Sequence, residues 1–229
     1  LGQATNVDGR ESIHIFFDAD QLQNAFFIQV ARQRQLDEDA ADSRVGVQVS
    51  DDFFQVFLAD IGWQVVVADN LCTGFRWAIA DDIPFEQVDI GEADAMRALL
   101  TRHGIRAIMH FAGSVVVPES VANPLKYYRN NTASSRTLIE AAVAAGVPHF
   151  IFSSTAATYG TPEIVPVPED APKQPINPYG MSKLMTEFML RDTAAAHPMN
   201  FCALRYFNVF GPRQDPTSPY SGVISKFVT

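Results

Sequence analysis

Trp63-Gln64-Val65-Val66-Val67-Ala68-Asp69 is a run of mostly β-branched and small apolar residues that stops on a carboxylate. A short strand of continuous apolar character belongs in a parallel sheet covered on both faces. The sequence beyond repeats the theme. Residues 84–88 give a second strand ending at Asp89, then Met96, Leu99 and Leu100 share one helical face, and 105–111 (IRAIMHF) is a further strand of buried type. A helical pattern over 132–145, with Leu138, Ile139, Ala142 and Val143, closes at Gly146 and leads to the strand 149–154 (HFIFSS). A proline-rich loop, 162–178, precedes a helix beginning near Tyr179, and 201–208 (FCALRYFN) reads as a last strand, broken by Gly211-Pro212. Strands alternating with helices predict an α/β fold, here a Rossmann-like doubly wound parallel sheet.

Upstream of Trp63 the reading is less regular. The stretch 45–49 (VGVQV) supplies a first strand, Ser50 an N-cap, and 51–61 a helix with Phe53, Phe54, Phe57, Leu58 and Ile61 along one face. Before that come a β-like run at 13–17 (IHIFF) and a helical one at 21–35 (QLQNAFFIQVARQRQ), with no motif to join them. Residues 1–44 are therefore left as an unassigned N-terminal segment, and 45–229 are expected to form one domain.

Composition narrows the function. With 229 residues and 47% hydrophobic content the chain can bury one sizeable core. A formal net charge of -9, with ten acidic residues against four arginines between Asp8 and Asp52, argues against a nucleic-acid surface, which needs clustered Lys and Arg. Two distant cysteines, Cys72 and Cys202, lack metal-ligand spacing and suggest reduced core thiols, hence a cytoplasmic setting. No metal site is expected. No stretch is long and apolar enough for a membrane span, and no basic start with an apolar run opens the chain, so neither a membrane nor export is expected.

The strongest chemical signal is Tyr179-Gly-Met-Ser-Lys183. Residues four apart on a helix project from the same face, so both side chains can act on one ligand. A phenol with a pKa of about 10 needs a downward shift of about three units, roughly 4 kcal/mol, to serve as a base near neutrality. A neighbouring ammonium works in that direction. Ser153-Ser154-Thr155 supports the reading, because it ends a strand of the sheet and so presents hydroxyls towards a ligand.

At this point a resemblance becomes specific. Phe111-Ala112-Gly113, Pro118-Glu119-Ser120, Pro124-Leu125-Lys126-Tyr127-Tyr128-Arg129-Asn130-Asn131, the run 150–160 (FIFSSTAATYG), Asn177-Pro178-Tyr179-Gly180 and Leu204-Arg205-Tyr206-Phe207-Asn208 closely resemble the UDP-glucose 4-epimerases of the extended short-chain dehydrogenase/reductase group, from about Gly62 to Asn208. The resemblance implies an isomerase of carbohydrate and galactose metabolism that holds NAD tightly, oxidises C4 of a UDP-sugar transiently and returns hydride to the other face. It implies Tyr179 as the catalytic base, Thr155 as its partner on the sugar 4-hydroxyl, and Lys183 as the group that holds the nicotinamide ribose and lowers the Tyr179 pKa. It further implies that Asp69 and Asn70 contact the adenosine ribose and that Asp89 and Ile90 lie on the adenine side. Phe111, Ala112, Gly113, Asn130, Ser153 and Phe207 are implied around the cofactor, and Ser120 and Asn208 at the substrate. A homodimer packing the helices near 124–145 and 180–196 is implied as well.

The sequence also departs from that pattern. A Gly-x-x-Gly-x-x-Gly turn normally follows the first strand and cradles the pyrophosphate. The corresponding place, counted back from Asp69, offers Val45 to Asp52 with one glycine and two aspartates. Val115 stands where many epimerases carry Lys. After Thr229 the family continues into a lobe that grips UDP, so the chain is expected to hold only the catalytic half, to bind NAD weakly and to show little activity by itself. Rivals are epimerases of UDP-N-acetylglucosamine or UDP-glucuronate, a nucleotide-sugar dehydratase, disfavoured by Ala156-Ala157 where dehydratases carry an acidic pair, and a non-catalytic fragment of the same lineage.

Overall fold

The computed structural model describes residues 64–72, 76 and 79–208, together with the backbone of 24–28. Six parallel strands form one sheet in the order β3-β2-β1-β4-β5-β6. They are β1 (Asn24–Ile28), β2 (Gln64–Asp69), β3 (Phe85–Gln87), β4 (Ala107–His110), β5 (His149–Thr155) and β6 (Asn200–Tyr206). This is the doubly wound arrangement, in which the strand order reverses between β1 and β4 and opens a ligand crevice at their carboxyl ends.

The element pattern from β2 onward agrees with the sequence reading, but β1 does not. Asn24–Ile28 pairs with both β2 and β4, Ile28 lying opposite Ala68 on one side and His110 on the other. The central strand therefore comes from the segment expected to be helical over 21–35 and left unassigned, not from 45–49. The physical reason is plain. A four-residue apolar run, Ala25–Ile28, cannot be distinguished from a buried helical turn by periodicity, and its Gln, Ala and Arg neighbours are good helix formers. The expected strand 45–49, the N-cap Ser50 and the helix 51–61 lie outside the described residues.

The core has two layers. On one face Val66, Ala68 and Ile108 pack with Phe150 and Phe152 beneath α1 (Ala93–Arg102), which contributes Met96, Leu99 and Leu100. On the other face Val65 and Val67 meet Ile79 and Ile83, with Met109 and Phe111 against them. The alternation of Val65/Val67 against Val66/Ala68 shows why β2 had to be apolar throughout: both of its faces are covered.

The helix expected over 132–145 begins earlier. A short α2 (Val117–Ala122) gives way at Asn123 to α3 (Pro124–Tyr127), which runs through a π-helical turn, Tyr128–Ala133, into α4 (Ser134–Ala144). Gly146, at φ 69°, closes it as the sequence predicts. The long α5 (Pro178–Ala196) starts from an Asn177 cap whose side chain accepts the Gly180 N–H at 2.8 Å. It covers the sheet near β5 and β6 and delivers Tyr179 and Lys183 to its carboxyl edge.

Candidate active site

Three strand ends and one helix build the site. At the end of β5 the chain turns into a single 3-10 turn, Ala156–Tyr159, capped by Thr155, whose Oγ1 accepts the Ala157 N–H at 3.1 Å. Thr155 thus spends a lone pair on its own backbone and keeps its hydroxyl proton for a ligand oxygen. The first turn of α5 lies directly on this 3-10 turn. A Cβ added at Gly180 would stand 2.6 Å from the Ala157 carbonyl oxygen, so only glycine lets Tyr179 come this near to the Thr155 corner.

Lys183 is buried, 2% exposed, and its Nζ donates to the Ser153 carbonyl at 2.8 Å. The same ammonium lies 4.9 Å from the centre of the Phe152 ring, an electrostatically favourable face. Burial lowers its pKa from the ordinary 10.5 to about 8. It remains largely charged at neutral pH, ready to favour a phenolate one helical turn away. Tyr179 is half-buried, its ring set edge-to-face against that of Tyr127 at 6.5 Å between centroids. Tyr127 is itself fully buried, its hydroxyl 2.6 Å from the Val116 carbonyl and 2.9 Å from the Glu119 carboxylate, which also pairs with Lys126.

At the end of β4, Gly113 adopts φ 150°, and an added Cβ would stand 2.9 Å from Oδ1 of Asn131. The π turn explains this crowding. It widens the helix and turns two asparagines towards the loop after β4, a use to which such turns are often put at functional sites. Asn131 accepts the Ser114 N–H at 2.7 Å and donates to the Ser114 carbonyl at 2.9 Å and to Ser182 Oγ at 3.1 Å, while Asn130 donates to Ser114 Oγ at 3.0 Å. Asn130, expected beside the cofactor, therefore braces the loop that carries Gly113. Its neighbour Asn131, which sequence reasoning did not single out, is the stronger clamp.

Behind this clamp lies His110, completely buried, with Nε2 2.7 Å from Ser135 Oγ. Ser135 Oγ donates onward to the Asn131 carbonyl, so the imidazole must give it the Nε2 proton. Burial, and then the Lys183 charge, hold the His110 pKa down at about 3, so the ring stays neutral.

The opposite end of the edge is more open. Asp69 is buried at the end of β2 and accepts the Leu71 N–H at 2.5 Å, around a turn in which Leu71 adopts φ 56°. Burial raises its pKa to about 6, only partly opposed by that hydrogen bond. Asn70 donates to the Asp89 carboxylate at 2.8 Å, joining the ends of β2 and β3, and Asp89 accepts the Gly91 N–H at 2.8 Å. Asp69 and Asn70, expected at the adenosine ribose, are thus tied to Asp89, expected on the adenine side, whereas the Ile90 side chain goes into the hydrophobic core.

Three expected residues behave differently. Ser120 is fully enclosed and its hydroxyl donates to the Val117 carbonyl at 2.7 Å, so it serves its own helix instead of facing a substrate. Phe207 and Asn208 follow the last strand instead of extending it, and both are exposed, Phe207 by 61%. Ala112 packs on one core layer and Phe111 on the other, so both line the loop from beneath.

Comparison with known proteins places this geometry. The profile of the NAD dependent epimerase/dehydratase family matches residues 54–229. A UDP-glucose 4-epimerase of Azospirillum brasilense is 56% identical over 154 residues, 67% of this chain and 44% of that protein. The chain thus spans less than half the length of this curated relative. Among solved structures, the Brucella ovis UDP-glucose 4-epimerase in complex with NAD superposes at a TM-score of 0.70, with 35% identity over 81% of this chain and 52% of that one. The UDP-Glc/GlcNAc 4-epimerase of Campylobacter jejuni does so at 0.68, with 39% identity over 80% and 53%.

Proposed function

The chain belongs to the NAD dependent epimerase/dehydratase family, and from that premise we propose that the whole protein is a nucleotide-sugar 4-epimerase, interconverting UDP-glucose and UDP-galactose. The observation that carries this reading is the corner where Thr155, Tyr179 and the buried Lys183 converge on the end of β5.

The residues fit the two ends of an NAD molecule. Asp69, Asn70 and Asp89 form a polar rim suited to the adenosine ribose and base, and Lys183 has ammonium donors left over after its bond to Ser153. They do not supply the glycine turn between. With β1 at Asn24–Ile28, the chain continues Gln29-Val30-Ala31-Arg32 and reaches no glycine before Gly46. The 45–52 stretch, expected from the sequence at the place of that turn, does not directly follow β1 in the chain and lies outside the described residues. NAD, when bound, supplies the redox chemistry at C4 of the sugar. The chain's own part is proton control. Tyr179 takes and returns the proton of the 4-hydroxyl at its phenol oxygen, Thr155 donates to the same sugar oxygen, and Lys183 lowers the cost of phenolate.

Supplying the whole protein with UDP-galactose and following the appearance of UDP-glucose tests the reading. Release of water from the sugar, or no change in either sugar, would sink it. A second reading, turnover of the N-acetylated sugars as well, is favoured by the likeness to the dual-specificity Campylobacter enzyme. Competition between UDP-glucose and UDP-N-acetylglucosamine separates the two.

The assembly belongs to the same proposal. Val121 and Leu125 on α2 and α3, and Met185 and Phe188 on α5, are exposed, Leu125 by 76%. A second copy of the chain, packing these helices together, is the partner that such an apolar face suits. Phe188→Glu then yields monomers in light scattering, and an unchanged mass would exclude this face. A cytoplasmic location is proposed with it, on the two free cysteines.

A further inference from the structure

We propose that Glu187 is a positioning residue that locks α5 in register along β5, so that Lys183, and with it Tyr179, meets the strand end carrying Thr155. Tyr179, Lys183 and Glu187 follow one another at four-residue spacing and so share one face of α5. Lys183 donates to the carbonyl of Ser153 at 2.8 Å. One helical turn further on, the Glu187 carboxylate accepts the hydroxyl of Ser154, the next residue of the strand. Two successive turns of the helix are thereby tied to two successive residues of β5. Any slip of α5 along the strand breaks both ties together.

The lock has a third side. Arg205 lies opposite Ser154 in the β5–β6 ladder, so the sheet itself sets its position. It grips Glu187 with Nε 3.0 Å and 3.1 Å from the two carboxylate oxygens and with Nη2 at 2.7 Å. Its remaining nitrogen, Nη1, donates to Tyr159 Oη at 2.8 Å and to the Glu169 carbonyl at 3.1 Å, which extends the lock to the 3-10 turn and the proline-rich loop. Glu187 is buried, and a buried carboxylate is tolerable only when paired and hydrogen-bonded. Ser154 and Arg205 fill its acceptor positions, so Glu187 acts through Lys183 and not on a ligand.

The catalytic consequence rests on the acid–base reading of Tyr179 and Lys183 given above, but the lock can be tested without substrate or cofactor. The chain has four lysines, Lys126, Lys173, Lys183 and Lys226, few enough to resolve by NMR with carbon-13 at Cε. The Lys183 signal is identified by its loss in Lys183→Met, and its midpoint is followed against pH in the full chain. His110, the titratable neighbour on β4, stays neutral throughout that range. The parent should titrate near 8, as a dry ammonium does. Glu187→Ala frees the helix, wets Lys183 and should raise the midpoint by about one unit, a tenfold gain in proton affinity. The sign is diagnostic, since deleting a nearby negative charge would by itself lower an ammonium's pKa. Glu187→Gln keeps an acceptor for Ser154 and should leave the midpoint at or slightly below the parent's, the direction set by the lost charge alone. Ser154→Ala, which leaves the Glu187–Arg205 pair intact, should shift the midpoint upward by a smaller amount and covers the case in which Glu187→Ala does not fold.

A lower melting temperature with the Lys183 midpoint unmoved in Glu187→Ala and Ser154→Ala would reduce Glu187 to a general stabiliser and overturn the lock. A parent Lys183 that titrates at the ordinary lysine value would overturn it too. The expected shifts in a whole protein that turns over no sugar would uphold the lock and defeat the epimerase reading instead.

Discussion

The two ends of the sheet's carboxyl edge are built on opposite plans. Around β5, α5 and the π turn, nearly every polar group is buried and answered by protein: Lys183 by Ser153, Asn131 by Ser114 and Ser182, Glu187 by Ser154 and Arg205. Around β2 and β3 the groups are few, with Asn70 exposed and Asp89 half-buried. Asp69 is buried there with one backbone N–H to satisfy it, and its pKa is raised in consequence. On the proposed function, groups that must keep a charge or a proton in one place are fixed by the fold, whereas groups that only recognise a ligand are left for the ligand to complete.

If that contrast holds, damage at the first end should cost chemistry and damage at the second should cost binding. The largest effect is expected from Tyr179→Phe in the whole protein, which should lower turnover by about two to four orders of magnitude, the usual scale for a lost general base. Turnover within tenfold of the parent would remove Tyr179 from that role. Next comes Gly180→Ala. The new Cβ meets a backbone oxygen, not a flexible side chain, so α5 or the 3-10 turn must move. Overpacking of this kind costs about 1–3 kcal/mol. A melting temperature equal to the parent's would show that this corner is looser than its contacts suggest.

The same contrast governs what could be read from the chain alone. Tyr179, Lys183 and Thr155 were legible because helical spacing and a strand end are local patterns. Asp69 and Asp89 were legible because each closes an apolar run. The partners that fix the catalytic end were not, since Ser182 meets Asn131 across 51 positions and Arg205 meets Tyr159 across 46. Two adjacent asparagines inside a helix, residues that helices disfavour, were the available signal for the clamp. Ser120 was misjudged because a hydroxyl beside a glutamate looks the same whether it faces a ligand or its own helix. The first strand was missed for a different reason: four apolar residues in a row have no period long enough to tell strand from helix.

The third prediction uses pH to contrast the two ends. His110 is neutral when folded and protonates with an ordinary pKa of 6.5 when unfolded, against about 3 in place. The unfolded chain therefore binds more protons between those values, and stability should fall as the pH drops below 6.5, by at most about 1.4 kcal/mol per unit. His110→Gln should flatten that decline in urea unfolding followed at several pH values. A decline as steep in the variant as in the parent would assign it to other groups.

Asp69 should do the reverse, and its effect is the smallest. Its folded pKa of about 6 lies above the ordinary 3.8, so the ligand-free chain takes up a proton here before the unfolded chain does. Its contribution to stability is complete below 3.8 and is lost as the pH rises through 6. A ribose diol placed against Asp69 changes the balance, because two hydroxyl donors favour the carboxylate. Binding then requires the proton to leave. NAD affinity in the whole protein should accordingly fall by about tenfold between pH 7 and pH 5, the fraction of Asp69 still ionised at the lower value. Asp69→Asn should bind more weakly at pH 7 yet show no such dependence, as titration calorimetry at the two pH values can establish. An equal loss in parent and variant would mean that the ribose lies elsewhere and that Asp69 merely closes its turn.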